Sequence, residues 1–172
     1  RELGSQEDSV RVSLYRSIYS PAGQGHVAIA IAPGFFKAIY TDNRPLLKFI
    51  QDTMFRGRTN PFDSNLPIFE ACFCRRGELN QSPSWIIKAE GNHLSLTWKR
   101  IEAPTLVYRG ELELQKERPA FTILFFCQDA EVFLNEHPIG GVPYPRNIWR
   151  EAIGGGDRSS CVFAIAETMI RP

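Results

Sequence analysis

Along most of the chain, apolar and polar residues alternate with a period of two, the signature of strands that bury one face. Val10, Val12 and Leu14 are separated by polar residues. Val27, Ile29 and Ile31 alternate with His26, Ala28, Ala30 and Ala32, and Pro33-Gly34 ends that run. The same reading predicts strands over Thr53–Arg58, Ile68–Arg75, Trp85–Glu90, His93–Arg100, Leu106–Leu114 and Cys161–Ile170, with Gly91-Asn92 as a tight turn. Only one segment has a helical beginning: Asp42-Asn43-Arg44-Pro45 leads into Leu46, Leu47 and Ile50, with proline near the first turn. Short strands punctuated by turn residues predict an all-β sandwich or barrel and argue against a parallel α/β sheet.

The stretch from Phe121 to Tyr144 sharpens this. Phe121 to Cys127 is a run of strand formers without Gly or Pro. Gln128-Asp129-Ala130 is turn-prone, Glu131 to Leu134 resumes the strand character, and Asn135-Glu136-His137-Pro138 closes it. The pattern predicts an antiparallel hairpin around residues 128–130. Both faces of its first strand are apolar: Phe121, Ile123, Phe125 and Cys127 on one, Thr122, Leu124 and Phe126 on the other. A strand covered on both sides belongs in the centre of a two-layer sandwich.

Composition narrows the function classes. The 172 residues suffice for one well-cored domain. A net charge of +1 gives no footprint for nucleic acid or an anionic membrane. No apolar run approaches the roughly 18 residues that span a bilayer. No signal peptide is visible, and the missing initial Met is consistent with a piece of a larger protein. Cys72 and Cys74 share a strand face at a spacing poor for a disulfide, and no Cys/His pair stands at metal-ligand spacing. Four reduced thiols, no metal and no cofactor are expected, with a cytoplasmic location or export without a signal peptide.

Nothing in the sequence points to catalysis. His26, His93 and His137 lie outside any nucleophile motif, and His93 and His137 read as solvated turn residues. Gly154-Gly155-Gly156-Asp157 lacks the Lys-Ser/Thr of a phosphate loop and reads as a turn. Trp85 and Trp98, on neighbouring predicted strands, are core residues or, if exposed, an aromatic platform. Trp149 follows in an irregular stretch. Arginines and lysines interspersed with aromatics, among them Arg56, Arg75, Lys88 and Arg109, suit acidic sugars or a phosphorylated partner, or else are solvated strand-edge charges.

Read in order, the strands resemble a galectin carbohydrate-recognition domain. Phe55-Arg56-Gly57-Arg58 precedes Phe69-Glu70-Ala71-Cys72-Phe73. Later come Tyr108-Arg109-Gly110-Glu111, then Val132-Phe133-Leu134-Asn135, then Val142-Pro143-Tyr144-Pro145-Arg146. The resemblance covers about residues 37 to 170. It implies a two-sheet antiparallel jelly-roll sandwich over residues 37–172, with residues 1–36 as an N-terminal extension or extra hairpin. It also implies β-galactoside binding without metal or cofactor, with an aromatic plate against the sugar's C–H face and polar side chains on its hydroxyls. On that pattern Tyr108 stacks, and Glu111, Lys88, Glu90 and Asn92 are the polar contacts. The departures are substantial. No His-x-Asn-Pro-Arg motif stands near Ile86–Asn92, where Lys88 and Glu90 take the polar positions. Glu113 stands where the family carries arginine. Two readings follow: a glycan- or glycoprotein-binding module, or a galectin-type fold that has lost sugar binding and binds a protein.

Overall fold

The computed structural model describes residues 1–18, 20–53, 65–109 and 120–168. The predicted strand over Thr53–Arg58 falls almost wholly outside them. In chain order the elements are β1 (Arg11–Ser17), β2 (Gly25–Ala32), β3 (Phe36–Thr41), α1 (Arg44–Thr53), β4 (Ile68–Arg76), β5 (Ser84–Ala89) and β6 (Asn92–Ile101). There follow β7 (Thr105–Arg109), β8 (Ala120–Leu134), β9 (His137–Pro138), β10 (Pro145–Arg146), α2 (Ile148–Ile153), β11 (Arg158–Ser159) and β12 (Val162–Thr168).

The architecture is all-β. Hydrogen bonds link the strands in the order β1-β2-β3-β4-β5-β6-β8-β12, with β7 and β9 also on β8. Among the described residues every pair is antiparallel except β3–β4, where Ile39 faces Ile68 in a parallel register. A parallel pair needs a crossover, and α1 lies within it. The sheet curls until its first strand, β1, lies against its last, β12. β1 and β2 pair as an antiparallel hairpin that forms one edge of the same sheet.

The helix forms where the sequence predicts it. The Asn43 side chain accepts the Leu46 N–H at 2.9 Å, capping an otherwise unsatisfied donor. Its amide nitrogen donates to the carbonyls of Ala22 (3.1 Å) and Gln24 (2.8 Å), which ties the helix start to the β1–β2 loop. Leu46, Leu47 and Ile50 fall on one helical face and pack on Val27, Ile29 and Ile39 of β2 and β3. On the other face of the sheet, Ala28, Ala30, Ala38, Tyr40, Ala71, Ile87, Leu94 and Leu96 form the inner core.

The predicted hairpin around residues 128–130 is absent. β8 runs unbroken for 15 residues through Gln128-Asp129-Ala130. Those residues stay in the ladder because β6 supplies partners: Trp98 faces Ala130 and Lys99 faces Asp129. Their charges are met from β6 as well, Lys99 bonding Glu131 at 2.6 Å and Arg100 lying 3.8 Å from Asp129. The irregularity falls on the partner strand, where Arg100 has φ +50° while its neighbours keep one register, Lys99 on Asp129 and Ile101 on Cys127. The true reversal is Asn135-Glu136, both at positive φ as a two-residue hairpin turn of the I′ kind requires. The expectation of a central strand holds, since β8 has neighbours along both edges. No helix among the described residues is long and apolar enough to cross a membrane.

Candidate functional site

The curl leaves a cavity of about 520 Å³ between β1 and the inner faces of β5, β6 and β8. That volume lies in the range of small-ligand pockets. Strand parity explains its lining. Val12, Leu14 and Arg16 share one face of β1, and Phe73 and Arg75 continue the inner face of β4. Trp85 and Ile87 of β5 lie opposite Leu96 and Leu94 of β6, so Trp85 and Trp98 both point inward. Trp85 is 4 % exposed and its indole nitrogen has no partner among the described residues. Trp98 donates its indole N–H to the Val162 carbonyl at 3.1 Å, fixing its ring across the β6–β12 gap. Trp149 of α2 closes the far wall, edge-on to buried Phe126 with ring centres 5.2 Å apart.

The first nine residues, mostly polar in sequence, are docked across the cavity's margin. Asp8 accepts hydrogen bonds from the Tyr144 hydroxyl (2.7 Å) and from Arg1 Nε (3.0 Å). The Arg1 guanidinium lies 3.7 Å from the Tyr144 ring centre. Burial pushes the Asp8 carboxyl up, but the Tyr144 hydrogen bond and the Arg1 charge outweigh it and hold it below its ordinary value. Burial and the bond to Asp8 hold the Tyr144 phenol above its own. Gly141 permits the crossing: it has φ +135°, and a Cβ there would meet Ser9 Oγ at 2.5 Å.

His26 lies beside the cavity on the inner face of β2. Its ring stacks on Phe73 (centres 4.8 Å apart) and tilts against Trp85 (5.1 Å). Its Nδ1 lies 2.7 Å from Asp42 Oδ2, while its backbone N–H donates to Asp42 Oδ1 at 2.6 Å. A carboxylate only accepts, so Nδ1 carries a proton. Nε2 has no partner, and no Ser, Thr or Cys stands bonded to it among the described residues. The pair thus orients an imidazole without the third member that nucleophilic chemistry needs.

The residues singled out from sequence fall in two places. The β5–β6 turn is Glu90-Gly91, one residue earlier than predicted, with Gly91 at φ +70°. Glu90 is exposed in that turn. Lys88 is exposed on the outer face of β5, facing His93 on one side and Cys72 on the other. Asn92 pairs with Ala89 and has the opposite parity to Lys88, so these two do not share a face. Tyr108 pairs with Phe121 at the start of β8, whereas His93, in the β5–β6 hairpin, bonds Asn135 just past its end. The intervening 14 residues of β8 and its turn correspond to on the order of 45 Å of extended chain. The register therefore does not bring Tyr108 to Lys88, Glu90 and Asn92. Glu111 lies outside the described residues.

Other features resolve simply. His93 is a half-buried strand residue, not a solvated turn residue, because the turn ends before it. Cys72 and Cys74 are exposed and free. Burial pushes the Cys127 thiol up to about 12 and the Cys161 thiol up to about 11. No cluster of three or more His, Cys, Asp or Glu among the described residues is placed to hold a metal ion. Sequence reasoning missed the cavity because its walls come from strands far apart in the chain. The one signal available was the pairing of Trp85 and Trp98 on adjacent strands, already weighed as a platform.

No family model, no curated protein and no solved structure matches this chain. What the coordinates define is a class by architecture: an all-β protein on one curled mixed sheet, with an aromatic-lined cavity of ligand size.

Proposed function

We propose that the protein is a non-catalytic carbohydrate-binding module whose ligand occupies the cavity between β1 and β5–β6–β8. The observation that carries the reading is the convergence of three indoles, Trp85, Trp98 and Trp149, with Tyr144 on one cavity of about 520 Å³. Sugar rings carry C–H faces that suit aromatic plates and hydroxyls that need fixed polar partners. Thr97, Ser160 and Arg146 line the same space and supply such partners. The sequence resemblance to galectins supports sugar as the ligand class, with the cavity in place of the Tyr108 surface as the site. A second reading, a protein-interaction module, is favoured by Phe35, 85 % exposed at the β2–β3 turn and suited to anchor a partner.

A glycan array read with three proteins tests this. Wild type is expected to bind a defined glycan set. Val142→Trp, which narrows the cavity from an exposed lining position, is expected to abolish binding. Tyr108→Ala is expected to leave it intact. Loss in Tyr108→Ala with retention in Val142→Trp moves the site to the family's location. No glycan signal at high protein concentration, with a protein captured through Phe35 instead, overturns the sugar reading.

A further inference from the structure

Resting on that reading, we infer that the cavity's ligand is anionic, its carboxylate or sulfate held between Arg16 and Arg75 beside the His26–Trp85 ring pair. Five arginines line the cavity (Arg1, Arg11, Arg16, Arg75 and Arg146) against two carboxylates, Asp8 and Glu131. Both carboxylates are already engaged, Asp8 by Arg1 and Tyr144 and Glu131 by Lys99. Arg16 and Arg75 have no acidic partner among the described residues and line the cavity from opposite walls.

The strand registers place these two arginines next to one pair of touching rings. Arg16 pairs with His26 across β1–β2, and Arg75 pairs with Trp85 across β4–β5. Paired residues lie about 5 Å apart at Cα. The His26 and Trp85 rings meet with centres 5.1 Å apart. Each arginine is therefore one strand spacing from a ring that touches the other's neighbour, and both side chains project from the inner face. A guanidinium presents N–H donors in a planar fork that matches a carboxylate or sulfate edge.

Two polar atoms close by lack partners among the described residues. Trp85, 4 % exposed, leaves its indole Nε1 unbonded, and His26 leaves Nε2 unbonded with Nδ1 held by Asp42. Unsatisfied buried polar atoms are rare in folded proteins, because each forfeits the hydration it had in water. Both are sealed from solvent, so the donors that face the ligand-sized space are the two uncompensated cations. An oxyanion takes the guanidinium donors, while neighbouring hydroxyls meet Thr97 and Ser160 on the same lining. An acidic sugar carries both groups on one ring.

Isothermal titration with a uronic-acid disaccharide and its neutral counterpart tests the assignment, using wild type, Arg16→Gln and Arg75→Gln. Both substitutions are at exposed positions and keep the aliphatic stem with an uncharged polar end, so folding is expected to be retained. Wild type is expected to bind the acid at least about tenfold more tightly than the neutral sugar. Each variant is expected to lose most of that difference while leaving neutral-sugar affinity unchanged. Equal affinity for the two sugars in wild type overturns the anion assignment but leaves the sugar reading standing. Inorganic sulfate separates the remaining case. If neither sugar binds, but sulfate raises the melting temperature of wild type more than that of Arg16→Gln and Arg75→Gln, the anion site stands and the sugar reading falls. If sulfate also acts equally on all three proteins, both are overturned.

Discussion

Strands β2 and β4 lie two places apart in one sheet, yet they treat their two faces differently. In β2 both faces are buried: Val27, Ile29 and Ile31 face α1, and His26, Ala28, Ala30 and Ala32 face the inner core. In β4 only the inner face is covered, while Glu70, Cys72 and Cys74 are exposed on the outer one. The sequences differ accordingly. β2 alternates large apolar with small apolar residues, and β4 alternates apolar with polar or thiol residues. Small inner residues on β2 let tightly packed neighbours approach, whereas the larger Arg75 of β4 and its partner Trp85 stand where the cavity opens. Stability is thus concentrated in the helix-covered region, and the space for a ligand lies beyond it.

Breaking the helix-covered layer should have the largest effect. Leu46→Ala removes a side chain with no exposure between α1 and the sheet, and is expected to cost about 2–5 kcal/mol in denaturant unfolding. Asn43→Ala should cost less, about 1–2 kcal/mol, because it deletes the cap and the tie to the β1–β2 loop without opening a cavity.

On the ligand side, the clasp of residues 1–9 should loosen in acid without global unfolding. Asp8 has a folded value held below 3.8, so its contribution is complete above that value and disappears as pH falls through the lower one. Amide protection in residues 1–9, taken relative to the intrinsic exchange rate at each pH, is expected to fall below about pH 4 in wild type. Asp8→Asn should already show low protection at neutral pH, with little further change in protection on acidification.

The smallest stability effects belong to the bare face of β4. Cys72→Ser and Cys74→Ser are each expected to change stability by no more than about 0.5 kcal/mol. A thiol reagent at pH 8 is expected to modify these two rapidly. Cys127 and Cys161, with thiols pushed up to about 12 and about 11, should react only on unfolding. Rapid modification of all four in the native protein would contradict the burial described for β8 and its neighbours.

Much of the fold was legible because it is local. Period-two alternation located β1, β2, β4, β5 and β6, and Asn43-Arg44-Pro45 located the helix start. The error at residues 128–130 has a physical origin: turn propensity is overridden when a partner strand offers both a ladder and opposite charges, as β6 does through Lys99 and Arg100. The parallel β3–β4 pair was equally hidden, since register between strands joined by a crossover is not written in either strand's alternation. The site was legible only in fragments. Trp85 and Trp98 were recognised as a possible platform, and a basic binding face was weighed with Arg75 in it. Arg16, Asp8, Trp98 and Tyr144 come to one cavity only through the curl of the sheet, which brings β1 round to β12.

The cavity is most directly tested by the indole N–H signals of the three tryptophans in a 15N-labelled sample, recorded while an acidic disaccharide is added. Saturable shifts of the Trp85 signal, accompanied by Trp98, are the predicted result. Unmoved indoles, with perturbations confined to the outer face around Cys72 and Lys88, would contradict a ligand seated inside the curled sheet.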